Sequence, residues 1–279
     1  MRTALSNVEL LRPRSVRDAL QMLRDEGPLT IIAGCTDVFV GLNFGTLKSR
    51  RFLDVWALQT MRGMFVRDDH LVIGALTTYT DVIHSPIVAR RLPMLAAASR
   101  EIGGVQIQNR GTVAGNVANA SPAGDSLPVL AAADAIVVLR NRDAERRVTL
   151  REFYTGYRQT VMRPDELITA IEVPRARGQQ WFRKVGTRAA QAIAKVTIAG
   201  IRGDRTSIAY GSIAPTVVRV PRTEAELSNG GSVDAACELL KSEISPIDDL
   251  RSTADYRRRV AQNLLRQFLA ETRRARTAR

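Results

Sequence analysis

An apolar run leads directly into small and polar residues in the segment Ile31-Ile32-Ala33-Gly34-Cys35-Thr36-Asp37-Val38. The apolar residues predict a short strand over 29–32, and the pair Ala33-Gly34 predicts its end. Beyond such an end, successive backbone N–H groups can turn toward one anion, and the Thr36 hydroxyl adds another donor. A tight turn that opens a helix explains the same residues, so both interpretations stand at this point.

A second segment, over residues 102–123, is dense in glycine, asparagine, serine and proline. Apolar residues recur within it, which fits disorder poorly and indicates a functional loop. Small residues let a backbone approach a ligand. Neutral hydrogen-bonding groups come from Thr112, Asn116, Asn119 and Ser121, and Asp125 can accept hydrogen bonds from hydroxyls. This set suits a polyol that carries a diphosphate, and an irregular turn is the alternative.

The flanking sequence predicts alternating helices and strands in two domains. A helix that begins after Ser15 and ends at Gly27 precedes strands at 29–32 and 52–55, which indicates a β-α-β-like unit. The other predicted strands cover 70–73, 135–139, 147–150, 167–173, 181–185, 194–202 and 206–214. The other predicted helices cover 78–83, 87–100 with a bend at Pro93, 127–133, 223–227, 233–240 and 254–269.

The domain boundary is predicted at the polar stretch 174–180. The first domain is then expected over 1–175, with subdomains of about 1–57 and 58–175, and the second over 178–279.

The composition excludes several classes of protein. The 279 residues include 41 Lys and Arg against 28 Asp and Glu, which gives a formal net charge of +13. Nearly all of the positive charge is arginine, so we interpret it as a compositional preference and expect no nucleic-acid partner. Cys35 and Cys237 are too few for a disulfide scaffold, a zinc ribbon or an iron–sulfur cluster held by this chain alone. No apolar stretch predicts a signal peptide or a membrane span, so we expect a cytoplasmic protein without membrane contact.

Two short motifs carry a family resemblance, Ala-Gly-Cys-Thr-Asp at 33–37 and Thr-Val-Ala-Gly-Asn at 112–116. In this order they resemble the FAD-binding motifs of the flavoprotein (medium) subunit of molybdenum hydroxylases, the family of xanthine dehydrogenases and carbon monoxide dehydrogenases. Segments 73–78, 120–125 and 182–188 add to the resemblance, which covers nearly the whole chain.

The resemblance implies an α+β fold with a two-part FAD-binding domain (vanillyl-alcohol-oxidase/PCMH-like), followed by a C-terminal domain of antiparallel strands and helices. It implies an oxidoreductase subunit that binds FAD non-covalently and passes electrons to NAD+ or another acceptor. The electrons would come from [2Fe-2S] clusters of a small partner subunit, and molybdopterin would lie in a large partner subunit. The low cysteine count agrees with clusters outside this chain.

The resemblance also implies roles for the matched residues. Main-chain amides would hold the FAD diphosphate at Ile31, Ile32, Ala33, Gly34, Cys35, Thr36, Asp37 and Val38. A second contact to the diphosphate and ribitol would come from Thr112, Val113, Ala114, Gly115 and Asn116. Asp125 would accept hydrogen bonds from hydroxyls of the flavin chain, and Ile102 would lie against the isoalloxazine ring. Ile168 would give a main-chain contact, and Lys184 would lie near the pyrimidine end of the flavin.

Two positions depart from the family pattern, because Cys35 and Ala114 stand where relatives usually carry glycine. Either position would be strained if its backbone requires a positive φ. Two alternatives therefore stay open: a stand-alone FAD-dependent reductase on a related fold, and a non-catalytic assembly protein that has lost its flavin.

Overall fold

The computed structural model of the protein describes residues 8–188 and 191–273. At the N-terminus a small parallel sheet has the strand order β1-β3-β2. Its strands are β1 (Glu9–Leu11), β2 (Thr30–Ile32) and β3 (Arg51–Asp54). Its two helices are α1 (Val16–Glu26) and α2 (Val38–Phe44).

Helix α1 forms where the sequence predicts it. The Ser15 hydroxyl accepts a hydrogen bond from the Asp18 backbone N–H, which satisfies a donor of the first turn. Leu20 and Leu23 face the core, and the helix ends at Gly27. Strand β2 follows within the predicted range 29–32, and the loop at 33–37 begins directly after it.

The middle of the chain builds a five-stranded antiparallel sheet with the order β4-β5-β10-β6-β7. Its strands are β4 (Met64–Arg67), β5 (His70–Gly74), β6 (Ile136–Arg140), β7 (Glu145–Thr149) and β10 (Leu167–Val173). A separate pair consists of β8 (Tyr154–Gly156) and β9 (Gln159–Thr160). The helices of this region are α3 (Tyr79–His84), α4 (Pro86–Arg91), α5 (Pro93–Arg100), α6 (Val105–Gln108), α7 (Val113–Asn119), α8 (Ser126–Ala132) and α9 (Leu150–Phe153).

Two sequence predictions were wrong here, and β4, β8, β9 and α9 were not predicted at all. The single bent helix predicted over 87–100 is two helices, because Pro93 begins α5 and Leu92 has the non-helical φ of −144° and ψ of 58°. A residue before proline is pushed out of the α region, so the chain breaks rather than bends. The irregular segment predicted over 102–123 contains α6 and α7, whose short lengths give almost no periodic signal.

The C-terminal region is a four-stranded antiparallel meander that packs against three helices. Its strands are β11 (Gln179–Val185), β12 (Val196–Arg202), β13 (Thr206–Gly211) and β14 (Val218–Arg219). Its helices are α10 (Pro221–Ser228), α11 (Val233–Glu243) and α12 (Ala254–Arg273). Within the described residues, no helix is both long and apolar enough to cross a membrane.

The C-terminal sheet lies between two hydrophobic cores. On β13, Ile208 and Tyr210 join the core formed with α11 and α12, while Ala209 joins the core of the rest of the chain. This alternation is the two-residue period of a strand that is covered on both faces. Because the sheet packs on α5 and α8, its strands are held close to the segments on either side of those helices.

Candidate functional site

The loops at 33–37 and 109–112 meet at the wall of a cavity of about 320 Å³. Their backbones are so close that a Cβ added to Gly34 would lie 1.7 Å from the carbonyl oxygen of Arg110. Any side chain at Gly34 would therefore separate the two loops. The glycine of the first motif is required by this close approach.

The loop after β2 presents a run of unpaired donors to this cavity. The five backbone N–H groups from Gly34 to Val38 have no acceptor among the described residues. Gly34, Thr36 and Val38 also line the cavity. Consecutive unpaired N–H groups beside a concave surface form an anion-binding nest. The loop can therefore hold a diphosphate through its main chain.

Cys35 lies within this nest and has a φ of +63°. This left-handed conformation costs a non-glycine residue roughly 1–2 kcal/mol. Burial raises the pKa of its thiol, and the positive charge of Arg110 opposes the rise. The thiol therefore stays protonated at neutral pH and acts as a small packing group.

We expect Cys35→Gly to raise the free energy of unfolding by roughly 0.5 kcal/mol, because relief of the left-handed strain slightly exceeds the added flexibility of glycine. Cys35→Ala is the matched control, since it removes the thiol and keeps the strain. Chemical denaturation of both variants measures the difference. A glycine variant less stable than the alanine variant would show that the backbone is unstrained.

The second loop places hydroxyl and amide groups on the same cavity. Thr112 caps α7 by accepting a hydrogen bond of 3.0 Å from the Gly115 N–H. The Asn116 side chain accepts from the Ser126 hydroxyl at 3.1 Å, which fixes the orientation of its amide. Ala114 lies inside α7 without a positive φ, so alanine in place of the family's glycine causes no backbone strain there.

A second cavity of about 670 Å³ continues from the first. The two share Asp37, Ile102 and Asn116 in their walls, so they form one cleft. The far wall comes from the C-terminal region, where residues 191–194 and Ser212 contribute. The cleft therefore runs from the nest to the C-terminal sheet.

A buried ion pair joins the two regions beneath this second cavity. The Lys184 Nζ lies 2.6 Å from Asp125 Oδ2 and donates a second hydrogen bond of 3.0 Å to the Glu101 carbonyl oxygen. The side chains of Lys184 and Asp125 are only 4% and 9% exposed. Asp125 Oδ1 has no hydrogen-bond partner among the described residues, although Asp125 lines the cavity. A buried carboxylate oxygen that has no donor in the chain is free to accept a hydrogen bond from a ligand hydroxyl.

Burial raises the pKa of Asp125 to about 6, and the charge of Lys184 opposes this rise. Between about pH 4 and about pH 6 the folded chain thus keeps a proton that the unfolded chain has released, so rising pH removes stability. We expect the stability of the unmodified chain relative to Asp125→Asn to fall across this window and to level off above it. Denaturant unfolding at several pH values measures this, and a constant difference would contradict a buried titrating carboxyl.

The structure brings most of the predicted site residues into one cleft. Those on the wall of the first cavity are Ile31, Ala33, Gly34, Cys35, Thr36, Asp37, Val38, Ile102, Thr112, Ala114, Gly115, Asn116 and Ile168. Asp125 lies on the second cavity. The three that line neither cavity are Ile32, Val113 and Lys184. Lys184 lies behind Asp125, so its expected proximity to a ligand is indirect.

Sequence reasoning missed the apolar wall opposite the two loops. This wall includes Val55, Met61, Ala75, Leu76 and Leu167. These residues come from segments far apart in the sequence, and each follows an ordinary core pattern. Asn119, one of the polar residues that the sequence indicates in the second segment, does line both cavities.

Known proteins share this fold. A family model described as "FAD binding domain in molybdopterin dehydrogenase" matches residues 6–176. A second model, "CO dehydrogenase flavoprotein C-terminal domain", matches residues 180–272. The carbon monoxide dehydrogenase medium chain of Hydrogenophaga pseudoflava is 30% identical over 274 residues, covering 92% of this chain and 94% of that protein.

A second curated protein and a solved structure match the chain over nearly its whole length. The putative xanthine dehydrogenase FAD-binding subunit of Escherichia coli K12 is 28% identical and covers 93% of this chain and 94% of that protein. A solved carbon monoxide dehydrogenase of Hydrogenophaga pseudoflava, lacking the Mo-pyranopterin moiety of its cofactor, has a TM-score of 0.89 at 27% identity. It covers 95% of this chain and 96% of that one. The predicted α+β fold is thus confirmed, and the chain belongs to the FAD-binding medium subunits of the molybdenum hydroxylase family, which are parts of oxidoreductases.

Proposed function

We propose that this chain holds FAD non-covalently along the cleft and is the electron-transfer subunit of a xanthine dehydrogenase-like molybdenum hydroxylase. The observation that carries the proposal is the run of unpaired N–H groups from Gly34 to Val38, closed against the second loop by Gly34. The orphaned Oδ1 of Asp125 is a second feature of the chain that fits a polyhydroxyl ligand.

The residues present fit FAD in the following roles. The main chain of 31–38 would hold the diphosphate, and Thr112, Ala114 and Asn116 would contact the diphosphate and ribitol. Asp125 would accept a hydroxyl hydrogen bond through Oδ1, while Oδ2 remains on Lys184. Lys184 would thereby place its charge near the flavin without touching it.

Apolar contacts complete the proposed site. Ile102 lies where the two cavities join, so it can contact the isoalloxazine ring. Ile168 is buried in β10 and lines the first cavity, where its main chain can contact the cofactor. The positions of Ile32 and Val113 limit them to main-chain contacts or to support of their neighbours.

The proposed place of the chain is between two electron carriers. FAD would supply the redox chemistry, because it exchanges electrons singly or in pairs. The chain itself would bind the cofactor, exclude water with its apolar wall, and fix the charge near the ring. We propose a small [2Fe-2S] subunit as electron donor, a large molybdopterin subunit beyond it, and NAD+ or another acceptor. Relatives named medium chains or FAD-binding subunits support this arrangement.

We also propose the division of the chain into an FAD-binding domain over 1–175, with parts of about 1–57 and 58–175, and a C-terminal domain over 178–279. The two family models meet between residues 176 and 180, which supports this boundary.

Purification of the affinity-tagged chain from its own host tests the proposed function. We expect a complex that contains flavin, iron and molybdenum, and anaerobic NADH should bleach the flavin absorption if NAD+ is the acceptor. Bleaching only by artificial electron donors would indicate another acceptor. A chain that purifies with FAD and turns over alone, without iron or molybdenum, would contradict the subunit role and favour a stand-alone reductase.

A further inference from the structure

Among the described residues, the wall of the first cavity has no positively charged side chain that could balance the charge of a diphosphate. Among the described residues that line it, Asp37 is the only charged side chain. Lys184 does not fill this need, because its Nζ is already paired with Asp125 at 2.6 Å. FAD bound as proposed above would place its diphosphate near Asp37, where like charges repel. A counter-ion must therefore come from a residue beside the cavity wall.

Arg110 belongs to the second loop and lies beside this cavity without being part of its wall, and its charge acts on the Cys35 thiol of the nest. Its carbonyl oxygen is the atom that a Cβ at Gly34 would strike, and the next residue, Gly111, lines the cavity. The Arg110 side chain is exposed. It has no carboxylate partner within residues 8–188 and 191–273. A guanidinium without a carboxylate beside an anion-binding nest is available for a ligand.

Trp56 fixes the position of this guanidinium. The Arg110 Cζ lies 3.9 Å from the centroid of the indole ring, and the Arg62 Cζ lies 4.1 Å from it. Arg62 is itself anchored, because it donates to the carbonyl oxygens of Trp56 and Leu76 at 2.9 Å. Cation–π contacts stabilise both guanidinium groups on one ring, but the two like charges repel. An anion beside Arg110 would relieve that repulsion.

We propose that Arg110 is the counter-ion of the FAD diphosphate and that Trp56 is its positioning residue. The inference rests on the proposed function, since it assumes FAD in the cleft. The planar fork of the guanidinium suits two phosphate oxygens, and stacking on Trp56 reduces the freedom lost when they bind. The diphosphate would then be bound both by the neutral backbone N–H groups of the nest and by the positive charge of Arg110.

Equilibrium titration of the full chain with FAD, followed by flavin fluorescence at low and high salt, tests the proposal. We expect Arg110→Gln to weaken FAD binding about 10-fold and to reduce its salt dependence, since one charge-assisted contact is lost. The FAD affinity of Arg110→Lys should lie between those of the unmodified chain and Arg110→Gln. Lysine keeps the positive charge but lacks the planar guanidinium that can contact two phosphate oxygens. Trp56→Leu should weaken FAD binding less than Arg110→Gln does. In that variant the Arg110 guanidinium is still present, but the indole ring no longer fixes its position.

The matched control is Arg17→Gln, which makes the same charge change at an exposed position of α1, a helix that contributes no residue to either cavity. It should leave both the affinity and the salt dependence unchanged. Equal FAD affinity and salt dependence in Arg110→Gln and the unmodified chain would overturn the proposal while leaving the proposed function intact. Absence of FAD binding by the unmodified chain would overturn both.

Discussion

Gly34→Ala is expected to weaken FAD binding about 100-fold. The added methyl group overpacks the contact between the two loops at a cost of roughly 3 kcal/mol, and relief of this cost opens the cleft wall. The added methyl group would lie 1.7 Å from the carbonyl oxygen of Arg110, well inside any permitted contact. Neither atom can rotate away, since the carbonyl oxygen belongs to the backbone and the position of a Cβ is fixed by the backbone that carries it. The two loops must separate, and the unpaired N–H groups from Gly34 to Val38 then move away from the second loop. Flavin fluorescence titration of the purified variant measures the loss.

Gly63→Ala is the control for a glycine-to-alanine change that leaves the cleft intact. Gly63 has a φ of +92° and open space where a Cβ would lie, so its substitution strains the backbone without a steric clash. It should lower stability modestly and leave FAD affinity unchanged. Normal FAD binding by Gly34→Ala would show that the two loops do not form the cofactor site.

Lys184→Met is expected to lower the free energy of unfolding by about 3–5 kcal/mol, because it leaves the Asp125 carboxylate buried without its cation. Such a loss corresponds to a fall in melting temperature of roughly 10 °C for a chain of this size. Part of the cost is recovered at low pH, where Asp125 is protonated. Calorimetric or optical melting at neutral pH measures the effect.

The double variant Asp125→Asn/Lys184→Met distinguishes the contribution of the ion pair to stability from the contribution of side-chain packing. Both buried charges are then absent, and the neutral amide avoids the desolvation penalty of a lone carboxylate. We expect it to be more stable than Lys184→Met alone. A double variant whose stability loss equals the sum of the two single losses would show that the two side chains do not interact.

The parts of the fold that sequence patterns predicted are those decided locally. Helix α1 has a capping Ser15, two apolar residues at helical spacing and a terminating Gly27. Strand β10 is a continuous apolar run between polar residues, and its bounds at Leu167–Val173 match the prediction. Such elements carry their own start and end signals.

The elements that were missed depend on distant partners. Strand β1 is three residues long and exists because it pairs with β3, forty residues later in the chain. Helix α2 has no buried residue, so it shows no amphipathic pattern. The break at Leu92 depends on backbone geometry before proline, which apolar periodicity does not reveal.

The two loops of the site were predictable because small and polar residues cluster within each motif. The meeting of Gly34 with Arg110 was not, since it requires the parallel sheet and the helices after β5 to be placed in space. The partnership of Lys184 with Asp125 likewise appears only when β11 packs next to the start of α8. Arg110 could not be distinguished in the sequence from the many other arginines. Trp56 belongs to neither motif, so no sequence pattern pointed to it.

The visible absorption spectrum of the purified chain, recorded before and after incubation with FAD and desalting, tests the central claim most directly. We predict that the chain retains flavin with a structured absorption band, because the nest, the second loop and the buried Asp125 form a ready cleft. A folded chain that emerges colourless after incubation with excess FAD would contradict the cofactor site, and the non-catalytic alternative would then be favoured.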